Sequence, residues 1–278
     1  MKIIREISEM KEFRSDLKGN VGLVPTMGCL HLGHLELVKQ SIRDNSATIV
    51  SIFVNPTQFG PCEDFAKYPR DEQHDIDVLE QAGVNAVFIP STDGIYPKGF
   101  GSWVEVKGVT EVLEGARREG HFRGVATVCH KLFNIILPTR AYFGQKDAQQ
   151  VLTVKKMVTD LNMHVEIMVV PIVRETDGLA MSSRNSYLSP AERCAATVLY
   201  QALISAQDLY VAGERNAKAI AAAVTTMLQS EPLAKVDYVA ITDTINLQEL
   251  EIISSSALVL LAVYIGETRL IDNIILGM

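Results

Sequence analysis

Residues 21–34 read Val21-Gly22-Leu23-Val24-Pro25-Thr26-Met27-Gly28-Cys29-Leu30-His31-Leu32-Gly33-His34. The first six form an apolar run of strand length. Beyond them Leu35, Leu37, Val38 and Ile42 recur at helical spacing. A strand that passes through a glycine-bearing turn into a helix is half of a βαβ unit. The other half follows at once: Ala47-Thr48-Ile49-Val50-Ser51-Ile52-Phe53-Val54 is a near-continuous apolar strand.

The same alternation continues outward. A helix is expected from Asp75 to Ala82, a strand at Ala86-Val87-Phe88-Ile89, and an apolar helix from Phe122 to Leu137 stopped by Pro138. Ala141-Tyr142-Phe143 is a strand, Val151 to Leu161 a helix, and Val165 to Val170 a strand. Alternating β and α segments with fully apolar strands predict a Rossmann-like parallel sheet covered on both faces. Ligands of such sheets bind beyond the carboxyl ends of the strands. The pattern changes at Asp177-Gly178. An Ala-rich helix starts at Ser189-Pro190 and ends at Gly213, a second runs from Ala217 to Leu228, and strands follow at Val236–Ile241, Ala257–Ile265 and Arg269–Leu276. Gly266-Glu267 is expected to turn a hairpin. The reading is an α/β domain over residues 1–176 and a smaller α+β lid over residues 177–278.

The chain has 278 residues, with 26 Lys+Arg against 33 Asp+Glu and a net charge of −7, which excludes a broad basic face for nucleic acid. It leaves room for a small local anion site. The longest apolar run, Ala257–Ile265, is far shorter than the ~20 residues that span a bilayer, and the N-terminus lacks the pattern of a secretory signal. Cys29, Cys62, Cys129 and Cys194 are scattered, without Cys-x-x-Cys spacing. A reduced cytoplasmic protein with no membrane partner is expected.

Four polar clusters follow predicted strands. His31 and His34, three apart on a first helical turn, share a face at the positive end of a helix, where phosphate binds well. Gly28 and Gly33 permit close approach. No third metal ligand stands nearby. Asn55 and Gln58 supply neutral amides suited to a small hydroxy acid. Gly144-Gln145-Lys146-Asp147 brings a compact cation for phosphate oxygens, a carboxylate for a ribose or a metal-bound phosphate, and Gln150 one turn on. Met181-Ser182-Ser183-Arg184 offers two hydroxyls and a guanidinium as a phosphate clamp at the seam of the two domains. The polar stretch from Gly60 to His74 reads either as a mobile wall over this site or as an ordered surface loop.

The His-x-x-His signature and the Met-Ser-Ser-Arg loop resemble the nucleotidyltransferase and class I aminoacyl-tRNA synthetase superfamily. All four blocks, with Glu114-Gly115, Gly120-His121-Phe122-Arg123-Gly124-Val125-Ala126-Thr127-Val128 and Val173-Arg174-Glu175, resemble the pantoate–β-alanine ligase family more closely. The resemblance covers essentially the whole chain. It implies ATP-dependent joining of pantoate to β-alanine through a pantoyl adenylate, with Mg²⁺ carried on ATP, and a homodimer. It implies that Met27, Gly28, Cys29, Leu30, His31, Leu32, Gly33 and His34 line the ATP site. Gly144, Gln145, Lys146, Asp147, the backbone of Val173, Met181, Ser182, Ser183 and Arg184 join them. His34, His31, Lys146 and Arg184 would be catalytic; Gln58 and Gln150 would hold pantoate, and Gln58 also neighbours β-alanine. Cys29 stands where the family often has alanine, and Leu32 where an acidic residue is common. A nucleotidyltransferase that keeps the nucleotide on its product and a nucleotide-sensing module remain alternatives from the residues alone.

Overall fold

Apolar runs flanked by glycine or polar turns become the strands, and the amphipathic segments between them become helices. The computed structural model describes residues 1–61 and 63–277. Cys62 and Met278 therefore lie outside the described residues, and with Cys62 one of the four thiols read as reduced. No disulfide joins any two of the other three cysteines.

Two units form, one from Met1–Gly144 with Gln149–Pro171 and the other from Gln145–Ala148 with the chain from Ile172 onward. In chain order the first carries β1 (Lys2–Ile4), α1 (Ile7–Asp16), β2 (Val21–Thr26), α2 (Leu32–Asp44), β3 (Ala47–Ile52), α3 (Glu72–Gln81) and β4 (Ala86–Phe88). It continues with α4 (Thr92–Ile95), α5 (Leu113–Arg117), α6 (His121–Ile136), β5 (Arg140–Gly144), α7 (Ala148–Asp160) and β6 (Glu166–Val170). The six strands form one sheet in the order β1-β4-β3-β2-β5-β6, and every pairing is parallel. The chain runs outward from β2 through β3 and β4, then returns to the other side of β2 with β5. That reversal makes the carboxyl ends of β2 and β5 the switch point at which such sheets bind ligands. Every residue of β3 is buried, as the continuous apolar run requires. One core cluster joins Val24, Leu30, Leu37, Val38, Val50, Ile52, Leu79 and Val87; each large aliphatic side chain so buried contributes about 1.5–3 kcal/mol.

The second unit carries α8 (Pro190–Ala195), α9 (Val198–Val211), α10 (Ala217–Gln229), β7 (Ala234–Thr242), β8 (Ala257–Ile265) and β9 (Thr268–Leu276). The strands form an antiparallel sheet with the apolar β8 in the centre. Ile265 pairs with Thr268, so Gly266 and Glu267 are the two loop residues of the expected hairpin, and Gly266 takes the positive φ of 55° that such a turn needs. Leu199, Leu203, Ile220, Val224, Val259, Leu261 and Val263 form this unit's core.

The Ala-rich helix differs from expectation. Ser189 and Glu192 form the anticipated capping box with Pro190 in the first turn, but the helix breaks into α8 and α9 around Ala196–Thr197. The Thr197 hydroxyl donates to the Cys194 carbonyl at 2.8 Å, a side-chain bond that competes with the regular turn. Among the described residues no helix is long and apolar enough to cross a membrane.

Candidate active site

The turn after β2 is held from inside. Gly28 has φ +82° and a Cβ there would stand 2.9 Å from Asp75 Oδ2, so only glycine fits without a shift. Asp75, buried on α3, accepts from the Cys29 N–H at 2.8 Å and the Leu30 N–H at 2.7 Å. Burial pushes its carboxyl above the ordinary range, against the two amide bonds that favour its charged form. Thr26 Oγ1 accepts from the Gly28 N–H.

The two histidines cap α2 reciprocally. His31 Nδ1 accepts from the Gly33 N–H at 3.1 Å, and His34 Nδ1 accepts from the His31 N–H at 3.3 Å. Their ring centroids are 4.0 Å apart. A Nδ1 that accepts carries no proton, so each neutral ring holds its proton on Nε2. Both ring protons then sit on Nε2, the nitrogen not used in the cap. The N–H groups of Gly28, Cys29, Leu30, His31 and Gly33 are all bonded within the chain. The amide cradle of this turn is therefore closed by bonds within the chain. Leu30 is buried in the core, so it serves the site by fixing the backbone. Leu32 is 60% exposed.

After β3, Asn55 is fully occupied. Its Oδ1 accepts from the Thr57 and Tyr96 hydroxyls at 2.9 Å each. Its Nδ2 donates to Gln58 Oε1 and to the Gly124 carbonyl, each at 3.1 Å. Asn55 is thus the scaffold of Gln58 rather than a second ligand amide. The buried Gln58 donates through Nε2 to the Met27 thioether at 2.9 Å, a weak acceptor for so strong a donor. Gly124 lets α6 approach: a Cβ there would fall within 3 Å of the Thr57 carbonyl and the Gln58 nitrogen. Gln150 makes no side-chain hydrogen bond to a described residue, whereas its neighbour Gln149 is buried and spends its amide on Val109 O, Val112 O and Glu114 N.

His121 holds Gln58 from below. Its Nε2 lies 3.0 Å from Arg118 Nη1 and accepts from it, so Nδ1–H donates to the Gln58 carbonyl at 2.8 Å. Arg118 pairs with Glu63 through two bonds of 2.6 and 2.8 Å, which ties Glu63 to the turn between α5 and α6. Burial and the Arg118 charge push the His121 imidazole down from 6.5 to about 4. Between those values the unfolded chain binds a proton that the folded chain refuses. The stability this group contributes is complete above pH 6.5 and is lost as pH falls toward 4. Urea midpoints should therefore drop more steeply across this window in the wild type than in His121→Asn. Parallel slopes would remove His121 from the account.

In the second unit, Lys146 makes no ion pair with a described carboxylate, and Asp147 is exposed. The Val173 carbonyl accepts from the Met181 N–H at 3.0 Å. Arg174 closes the same loop: it grips Asp272 at 2.6 and 3.0 Å, donates to the Gly178 carbonyl at 3.0 Å and lies 4.3 Å over the Tyr200 ring. Burial pushes the Asp272 carboxyl up, and Arg174 opposes the shift. Ser182 caps the short helical turn Ser183–Tyr187 by accepting from the Arg184 N–H.

The sequence profile of the pantoate-beta-alanine ligase family matches residues 2–275. The chain belongs to the pantoate–β-alanine ligase family. A pantothenate synthetase of Herpetosiphon aurantiacus is 57% identical over 277 residues, covering 99% of this chain and 100% of that one. One from Acetivibrio thermocellus is 54% identical over 278 residues, covering 99% of each. The crystal structure of pantothenate synthetase from Thermus thermophilus superposes with a TM-score of 0.95 at 45% identity, covering 99% of each chain. That of the pantoate-beta-alanine ligase from Francisella tularensis, complexed with beta-gamma ATP and beta-alanine, has a TM-score of 0.82 at 36% identity over 99% of this chain and 97% of that one.

Within this ligase fold the candidate site residues and the residues that hold them differ in legibility. The histidines, Gln58 and Lys146 announce themselves as polar groups after strands. Asp75, His121 and Arg118 do not. The signal for Asp75 was a carboxylate beside Ile76 and Leu79 on the apolar face of α3, where an unpartnered charge would be costly.

Proposed function

We propose that this ligase joins (R)-pantoate to β-alanine through a pantoyl adenylate, releasing pyrophosphate and then AMP. The pantoate carboxylate attacks the α-phosphorus of ATP, and the amine of β-alanine displaces AMP from the activated carbonyl. The observation that carries the reading is the reciprocal cap of His31 and His34, which fixes both rings, with their protons on Nε2, at a helix N-terminus. Donors fixed before substrate arrives stabilise charge that develops on a phosphate without reorganising. Lys146 and the Met181–Arg184 loop supply the remaining phosphate contacts, with Asp147 toward the ribose. The Gln58 amide, leaning on a thioether, gains a stronger acceptor when pantoate binds, and Gln150 supplies the second amide.

Among the described residues no three His, Cys, Asp or Glu side chains converge to hold a metal. Mg²⁺ fits as a companion of ATP, since it keeps phosphate and water ligands and needs only one or two carboxylates. Asp147 is the carboxylate for that role, and the ion would neutralise phosphate charge. We place the enzyme in the cytoplasm as a homodimer.

Pyrophosphate should form with ATP and pantoate alone, and AMP only after β-alanine is added. A nucleotidyltransferase would release pyrophosphate without ever releasing AMP, and a sensor would release neither. Gln150→Ala should raise the pantoate KM by about tenfold and leave the ATP KM within about twofold. Equal rises in both would place Gln150 outside the acid pocket.

A further inference from the structure

The two segments of the second unit that face phosphate in this reading are tied to adjacent residues of one strand. Asn273, on β9 and 2% exposed, donates from Nδ2 to the carbonyls of Gln145 and Lys146, each at 3.0 Å. Its Oδ1 accepts from Gln145 Nε2 at 3.3 Å. Asp272, next to it, accepts from the Asn273 N–H at 2.8 Å and holds Arg174, which in turn holds the Gly178 carbonyl.

A buried strand position packs well with an aliphatic residue, and Ile271 and Ile274 flank this pair. An asparagine there needs its amide satisfied, and every bond of this amide goes to one segment. Both amide protons go to consecutive carbonyls 127 and 128 residues away. Such a clamp fixes the path of the backbone that carries the Lys146 side chain, and with it the point from which the ammonium reaches.

We propose that Asn273 is a positioning residue for Lys146, and that Asp272 does the same through Arg174 for the Met181–Arg184 loop. Strand β9 thereby sets both phosphate-binding segments. The inference rests on the reading of Lys146 as a phosphate contact.

The test is a double-mutant cycle on the full chain, with pantoate-dependent pyrophosphate release as readout. Asn273→Ala should lower kcat/KM for ATP about 30-fold and leave the pantoate KM within about twofold. In a Lys146→Ala background the same change should cost less than about threefold, because the group it positions is gone. Leu276→Ala, in the core of the same strand, controls for stability. It should lower Tm at least as far yet keep kcat/KM for ATP within about threefold. Additive losses in the cycle overturn the proposal, as does an equal loss in Leu276→Ala. Wild-type activity of Asn273→Ala beside an impaired Lys146→Ala overturns it while the phosphate reading stands. Wild-type activity of Lys146→Ala overturns both.

Discussion

Replacing His34 by alanine is expected to lower pantoate-dependent pyrophosphate release about 10²-fold, a loss of roughly 3 kcal/mol of transition-state stabilisation. Two things leave with the ring. One is the Nε2–H donor. The other is the Nδ1 acceptor of the His31 N–H, whose loss costs about 1 kcal/mol as a helix cap and loosens the His31 ring tilted against it. The roles separate by substitution. Asparagine places an acceptor near the position of Nδ1 and no donor near Nε2, so His34→Asn should recover thermal stability and little of the rate. Glutamine places an amide N–H near Nε2, so His34→Gln should recover rate in preference to stability. A His34→Asn enzyme that releases pyrophosphate at the wild-type rate would reduce His34 to a cap.

How much of this was readable in advance follows from where each interaction closes. The strands β2, β3 and β5 are apolar along their length because they are buried on the sheet, and their composition declares them. The opening strand β1 has three residues, and α1 buries only Met10; neither carries enough apolar pattern to be read. The four polar blocks were legible because each is local: a turn, a run of amides, a lysine two residues beyond a strand. Asn55 shows the limit of that reading. Its residue type suits a ligand contact, yet its partners Tyr96 and Gly124 lie 41 and 69 residues away and consume both ends of the amide. Asp75, His121 and Asn273 each hold a candidate residue or its neighbour across 45, 63 and 127 residues. A sequence shows such residues only as polar interruptions of an apolar face. The segment Gln145–Ala148 follows β5 in the chain but packs with the second unit, since its carbonyls are claimed by Asn273.

Lys146→Ala is expected to match His34→Ala in size and differ from it in kind. The ammonium makes no ion pair with a described carboxylate and favours the ionised form of the buried Asp272 only as a lesser charge behind Arg174, so removing it should lower Tm by no more than about 2 °C. The loss should fall on the adenylation step, about 10²-fold or roughly 3 kcal/mol, because a positive charge beside a phosphate acts most where charge accumulates in the transition state. Pantoate KM should hold, since in this reading Gln58 and Gln150, and not Lys146, bind the acid. Lys146→Arg sharpens the test. Arginine keeps the charge but replaces a compact ammonium with a planar fork, and the backbone at Gln145 and Lys146 is clamped by Asn273 and cannot retreat. Recovery should therefore be partial, well short of the wild-type rate. Adenylation at the wild-type rate in Lys146→Ala would remove this side chain from the phosphate site. Full recovery in Lys146→Arg would mean that charge alone is needed and that the fixed path of this segment matters little.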